Sequence, residues 1–435
     1  MPEIKDKSIT DGQLSSLLLY ISFCLVVFYP FKGLISFIWS SIIGVNLSVI
    51  VIPFLFIFMI SFLFMNVSVN HIFFQTKSDI VLFACGLLGA AFALIGKDSS
   101  LFYNTFLLFF LPVLLSAMVK IDDGFFFKTV FLFFTISTVY MFVENVIIHP
   151  SRYFLSIGAP NLVQISNYTD HLVSSPDFNA ILNLSDNRHV GASYRTAGYL
   201  GNTLAMPVII SMTATFFYVL SREKARLIYL GLSLLSFIVL ISCLSTTATI
   251  ACLLTIVFYE CYIKVSFRSI LRFLVLAFIV FLLFYSGSLS FLYSRLIKNL
   301  ADAQYFATFF NHRILFHYEN FPYLIWGKWD WIPLKSGSSH VDMINIAVAY
   351  GGIIAFLLFR RMLHPVHLQR RTADIRRRVY AFVVLTAFIC LFHSSMTLNL
   401  NIMMLVTLLM LKSSQIFELA GNDCDSWASP VVKEL

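Results

Sequence analysis

The feature that most restricts what this chain can fold into is the recurrence of apolar runs about 20 residues long, enough for a helix to cross roughly 30 Å of hydrocarbon. Such runs begin near residues 15, 46, 79, 101, 125, 197, 227, 246, 270, 341, 379 and 396. A water-soluble fold could not hide them: 59% of the residues are hydrophobic and only 12% are charged, where ordinary globular domains carry roughly 25% charged residues. The expected fold class is all-α, a polytopic integral membrane protein of about 12 transmembrane helices, with 1–435 forming a single membrane domain. The N-terminal stretch MPEIKDKSITDGQ is polar and has no basic segment followed by a cleavage site. The first run is therefore expected to be an anchor helix, not a removed signal peptide.

Lys and Arg divide unequally between the two faces this pattern creates. With the N-terminus inside, 20 of the 30 basic residues fall on the inner side, the arrangement that short cytoplasmic loops favour. Both termini, the basic loop 360–378 and the tail 413–435 are then cytoplasmic. The two longest polar segments, 148–196 and 289–340, lie on the outer face, and long loops in a compact protein are usually functional or disordered. The basic loop reads as a topology determinant that also touches anionic head groups. Of the 7 cysteines, six sit in apolar runs and Cys424 sits in the tail; they read as small core residues, with neither a disulfide framework nor a zinc site favoured.

Three places on the outer segments carry chemistry. Arg195 directly precedes Thr196-Ala-Gly-Tyr-Leu-Gly-Asn202, whose glycines allow close approach of a backbone or a ligand; it reads as an anion clamp or as an interfacial anchor beside small-residue packing. Arg313 lies in NHRILFHYENFPYLIWGKWDW, where Trp326, Trp329 and Trp331 cluster around Gly327. Those rings suit an interfacial belt or platforms for sugar faces. In SGSSHVDMINIAVAYGG, His340 and Asp342 stand at a helix mouth, where a His near its ordinary pKa can accept a proton from an alcohol or sit idle.

Taken in order, these elements resemble the O-antigen polymerase and O-antigen ligase superfamily. That family carries approximately R..G.f..p in the first long periplasmic loop, R.......p..G in the second, and H(N/D)..l......G entering the next helix. Here the matching residues are Arg195, Gly198 and Pro207; Arg313, Pro322 and Gly327; and His340, Asp342 and Gly351. Val341 stands where the family often has Asn, and the segment Leu244–Ala251, LSTTATIA, carries Thr where ligases tend to carry Arg. The second departure favours polymerase over ligase.

The resemblance implies a GT-C-like architecture in the bacterial inner membrane, with the active site facing the periplasm. The implied activity is glycosyl transfer, without metal or other cofactor, from an undecaprenyl-pyrophosphate-linked oligosaccharide to a hydroxyl of another glycan. His340, oriented by Asp342, is the candidate base; Arg195 and Arg313 are the candidate pyrophosphate clamps, with Arg188 and Arg295 in reserve; Trp326 and Trp329 are candidate sugar platforms. Membrane lipids and a chain-length regulator are the further candidate partners, and no nucleic acid is expected. O-antigen ligase, moving polymer to lipid A-core, is the alternative. A lipid-linked oligosaccharide transporter or flippase is more distant, because Glu144, Glu260 and His393 are the only mid-chain ionisable candidates and such carriers usually keep charge inside their helices. The sole DxD spacing, Asp423 and Asp425, falls in the tail and reads as chance.

Overall fold

The computed structural model describes residues 11–32, 34–35, 77–148, 198–200, 205–243, 245–263, 321–330, 342–369, 374–391 and 399–414. Among these residues all regular structure is helical, as expected for an all-α membrane chain. Helix α1 (Asp11–Phe28) ends in a 3-10 turn at Tyr29–Phe31; then come α2 (Lys77–Gly96), α3 (Ser99–Lys120) and α4 (Asp123–Phe142), which a wide π-helical turn extends over Val143–Ile148. A 3-10 turn at Gly198–Leu200 precedes α5 (Ala205–Lys224), α6 (Leu227–Ser242) and α7 (Thr246–Ile263). The short α8 (Tyr323–Trp326) is followed by α9 (Asp342–Tyr350), α10 (Gly352–Leu368), α11 (Ile375–Cys390) and α12 (Leu400–Ser414).

Among the described residues four segments are long and apolar enough to cross a membrane: Asp79–Gly96, Ser99–Lys120, Asp123–Ile147 and Ala205–Lys224. Shorter apolar helices cover Ser16–Phe31, Leu227–Ser242, Thr247–Cys261 and Leu400–Ser414. The runs expected near 46 and 270 lie outside the described residues.

Helix starts are set by aspartates. Asp98 accepts from the Ser100 and Leu101 amides, Asp122 from Phe125 and Asp374 from Arg376, each satisfying amides that a first helical turn leaves without an internal partner. Within α3, Pro112 has no N–H to donate, and just ahead of it the helix widens, so that the Leu111 amide reaches back to the Phe106 carbonyl.

Three expectations change. Where a helix is expected from about 197, the described residues show a 3-10 turn at Gly198–Leu200, with Gly198 at φ +57, and then α5, described from Ala205. The run from 341 is not one helix: Gly351, at φ +92, separates α9 from α10. The basic stretch 360–378 is for the most part helix, since α10 carries Arg360 and Arg361 and continues to Leu368, and α11 begins at Ile375.

Helices α5 and α11 form the centre and are buried on nearly every face, as expected for helices that are apolar all round. Around them α2, α6 and α7 turn Leu87, Leu94, Ile228, Leu234, Leu254 and Phe258 outward. Hydroxyls hold the central seam: the Thr215 and Thr386 Oγ1 atoms are 2.8 Å apart, and Thr386 lies 3.1 Å from Thr255, joining α5, α11 and α7. Small polar residues are the usual glue of helices packed in lipid.

One end of the bundle gathers charge. Arg222 grips Glu260 through Nε at 2.6 Å and Nη2 at 3.1 Å, with the Tyr218 hydroxyl donating to the same carboxylate at 2.9 Å. Arg378 Nη1 donates to Glu223 at 2.8 Å. Lys412 caps the carbonyls of Val119 and Ile121 at 2.8 and 2.7 Å and pairs with Asp123, which Arg377 also approaches. Arg361 faces Asp79 at 3.7 Å. These pairs tie together helices that are far apart in sequence.

Candidate functional site

At the opposite end, the segment around α8 lies against the break between α9 and α10. The Lys328 and Trp329 amides donate to the Val348 and Ala349 carbonyls, both at 2.8 Å. Gly327 (φ +80) and Gly351 (φ +92) make this seat possible. A Cβ on Gly327 would stand 2.6 Å from the Tyr350 carbonyl carbon, and one on Gly351 would stand 2.8 Å from the Ile325 carbonyl oxygen. Gly352 is as tight, 2.6 Å from the Leu324 oxygen. Real Cβ atoms do not come so close, so only glycine lets the two backbones meet. The glycines that close the second and third motifs are thus in mutual contact.

Aromatic rings fix the seat laterally. Tyr350 shares a hydrogen bond with Thr105 Oγ1 at 2.9 Å and meets Trp329 edge-on at 5.9 Å. Trp329, at φ +54, also packs on Phe92 at 5.4 Å. Trp326 behaves differently: it is 78% exposed, next to the exposed Ile325. Of the two candidate sugar platforms, one ring is engaged by protein and the other is open.

Asp342 begins α9 and is 2% exposed. A carboxylate in a first helical turn lies at the positive end of the helix dipole. The next amide, Met343, donates to the Leu391 carbonyl at 3.3 Å, which sets this mouth against the end of α11.

The described residues of the first motif, Gly198 and Pro207, are buried at the same end. A Cβ on Gly198 would stand 2.7 Å from Met141 Sδ and 2.8 Å from Met206 Cγ. Tyr199 stacks on Phe31 with centroids 4.0 Å apart, meets Tyr140 edge-on at 5.6 Å, and shares a hydrogen bond with Ser137 at 2.9 Å. Pro207 falls in the first turn of α5, where its missing N–H costs nothing.

Alongside Tyr199, the π-helical turn at the end of α4 carries Glu144 and Asn145, both buried. Asn145 Nδ2 donates to Ser242 Oγ at 2.9 Å and lies 3.7 Å from Cys243 Sγ, while the Tyr140 hydroxyl faces Glu144. Glu144 counts in the sequence only as an ionisable residue near a helix end. The signal that marks it is the Glu-Asn pair interrupting the apolar run VYMFVENVII.

Of the residues singled out in the sequence, Asp342, Trp326 and Trp329 are described; His340, Arg195, Arg313, Arg188, Arg295 and His393 lie outside the described residues. Glu260, held by Arg222 and Tyr218, is a bridge between α5 and α7. Comparison with protein-family models, with curated proteins and with solved structures finds no match to this chain.

Proposed function

We propose that this chain is a surface-polysaccharide polymerase of the O-antigen type, acting on undecaprenyl-pyrophosphate-linked repeat units at the outer face of a bacterial inner membrane. The observation that carries the reading is the contact between Gly327 and Gly351. Two motifs recognised separately in sequence, Arg313-Pro322-Gly327 and His340-Asp342-Gly351, end on the same few ångströms of backbone, which supports their forming one site. The charge distribution supports the orientation: Arg222, Arg226, Arg361, Arg376, Arg377, Arg378 and Lys412 all fall at one end of the bundle, the end that cytoplasmic placement favours.

In this reading a sugar hydroxyl on an incoming lipid-linked repeat unit attacks the anomeric carbon of the growing chain. The bond from that carbon to the pyrophosphate oxygen breaks, and undecaprenyl pyrophosphate leaves with the electron pair. His340 accepts the hydroxyl proton and Asp342 orients it. Arg195 and Arg313 take the charge that develops on the pyrophosphate, since guanidinium groups bind phosphate oxygens in pairs and stay charged near lipid. Arg188 and Arg295 stand in reserve, and a chain-length regulator is the proposed protein partner.

The test is a polysaccharide gel ladder from cells lacking the gene, complemented with wild type. A single repeat unit on the lipid core without the gene, and a ladder restored on complementation, support the polymerase. Bare core with polymer stranded on its carrier identifies a ligase, and an unchanged ladder overturns both.

A further inference from the structure

At the basic end of the bundle the ion pairs leave a group of cations over. Lys224 ends α5, Arg226 precedes α6 and Arg376 lies in the first turn of α11. Lys224 Nζ stands 5.0 Å from the centre of the Phe127 ring and 5.9 Å from that of Tyr229, and the Arg376 guanidinium stands 5.6 Å from the same Phe127 ring. Arg376 and Arg226 are both near enough to repel Lys224. Like charges drift apart in water unless something holds them. Here Ala225, at φ +48, turns the chain sharply between Lys224 and Arg226, and Phe127 draws Lys224 and Arg376, both partly buried, to one ring.

Among the described residues no carboxylate forms an ion pair with any of the three, and the acids nearby are engaged elsewhere. Glu223 accepts from Arg378 at 2.8 Å and from the Tyr259 hydroxyl. Asp374 accepts from the Arg376 amide and faces Arg377 Nε at 3.2 Å. Asp123 lies between Lys412 and Arg377, and Asp122 caps α4 through the Phe125 amide. A ring face attracts a cation but supplies no counter-charge. Only Arg376 of the three belongs to the basic stretch 360–378.

The surface leading away from these cations is apolar. Helices α4 and α6 are held together by Phe131 on Tyr229, with ring centres 6.0 Å apart, and by the Thr138 and Ser236 hydroxyls at 3.0 Å. Their exposed faces show Leu132, Ile136 and Val139 on α4, and Leu230, Leu234 and Ile238 on α6. Both helices start at the basic end, so these faces run from the cations towards the middle of the bundle. A ligand that meets both features has an anionic head and alkyl chains. Inorganic phosphate would use the charge alone, and an acidic peptide would leave the apolar faces bare.

We propose that Lys224, Arg226 and Arg376 bind the phosphate of an anionic phospholipid, such as phosphatidylglycerol, whose acyl chains lie along α4 and α6. The Arg376 fork takes two phosphate oxygens, Lys224 adds a point charge, and Arg226 supplies a third cation from the turn between α5 and α6. The site is at the opposite end from the proposed glycosyl transfer and rests on no part of that reading.

The test is lipid binding by the purified full-length protein, delipidated in a neutral detergent and titrated with phosphatidylglycerol or phosphatidylcholine, read by native mass spectrometry and by Tm. Wild type should bind phosphatidylglycerol the more tightly and gain Tm with it. Lys224→Gln and Arg376→Gln should each weaken phosphatidylglycerol binding about tenfold, the loss of one charge-assisted phosphate contact, and leave phosphatidylcholine unchanged. Lys120→Gln and Arg360→Gln remove exposed cations from the same end and should leave both lipids unchanged. Equal affinity for the two lipids, or equal losses from all four variants, would overturn the site in favour of diffuse attraction to the basic end. A Tm rise with inorganic phosphate equal to that with phosphatidylglycerol would make it a phosphate site, and displacement of the lipid by polyglutamate at lower concentration would make it a protein contact; either result overturns the lipid. If Lys224→Gln or Arg376→Gln does not give folded protein, Arg226→Gln, whose side chain is exposed, takes its place: weaker phosphatidylglycerol binding supports the site and unchanged binding removes it.

Discussion

Gly327 and Gly351 lie backbone against backbone, each at positive φ and each without room for a Cβ. Alanine at either position would pay about 1–3 kcal/mol for a backbone conformation, positive φ with ψ of 144 and 152, that only glycine adopts readily, and would also push the α8 segment off the break between α9 and α10. Gly327→Ala and Gly351→Ala should therefore lower Tm and shorten or abolish the polysaccharide ladder. Gly231 in α6 has open space around it, and Gly231→Ala should leave both unchanged or raise Tm slightly. Equal tolerance of all three changes would mean that the close approach is not used.

Trp329 and Trp326 sit three residues apart in different surroundings. Trp329 fills the space between Phe92 and Tyr350, so Trp329→Ala should cost about 2–3 kcal/mol, somewhat less than a fully buried Trp. Trp326 is open to the surroundings; Trp326→Ala should leave the thermal transition in place, and Trp326 fluorescence should be quenched by lipids brominated near the head group. Quenching confined to aqueous quenchers would place the ring in water, where it is free to meet a sugar face.

The apolar runs made most helix positions legible, because a 20-residue window sees exactly the property that drives a segment into lipid. The break at Gly351 was not legible: Ile346 to Leu358 reads as continuous hydrophobicity, and nothing local announces that a second backbone will press on that glycine. The basic stretch failed for the opposite reason. Arg361, Arg377 and Arg378 look like loop residues to a hydropathy window, yet each meets an acid on another helix, Asp79, Asp123 and Glu223 respectively. Charge paired across helices can continue a helix that charge counted along the chain would end. Motif order brought out Gly198, Gly327 and Gly351, while Glu144 and Tyr199 depend on contacts between segments distant in sequence.

Lys412 illustrates such pairing. At 2% exposure it closes the carbonyl end of α3 and the amide end of α4 together, through Val119, Ile121 and Asp123. Lys412→Met keeps the length and removes three interactions, leaving two carbonyls and a half-exposed carboxylate to find other partners. A loss of about 2–3 kcal/mol is expected, read as a lower Tm or reduced folded yield, with no change in which product accumulates. A variant as stable as wild type would show that water replaces the ammonium there.

Orientation is testable directly. In a chain whose 7 cysteines have been replaced, Ser99→Cys at the start of α3 and Arg226→Cys just before α6 stand at opposite ends of the bundle, both exposed. A membrane-impermeant maleimide added to intact spheroplasts should label position 99 and spare position 226 until the membrane is opened. The reverse pattern would put the basic end outside and move the proposed chemistry to the cytoplasm.

The proposed roles of His340 and Arg313 separate by substitution. A general base contributes about 10²- to 10⁴-fold, so His340→Ala should fall by that factor in elongation of lipid-linked repeat units while inserting and folding like wild type. Arg313→Ala should also abolish product. Arg313→Lys is the sharper variant, because a single ammonium keeps the charge and loses the two-pronged geometry. If the guanidinium holds pyrophosphate, Lys should recover little activity; if Arg313 only anchors its segment at the membrane surface, Lys should serve as well, and a full-length ladder from Arg313→Lys would transfer the clamp to another outer arginine.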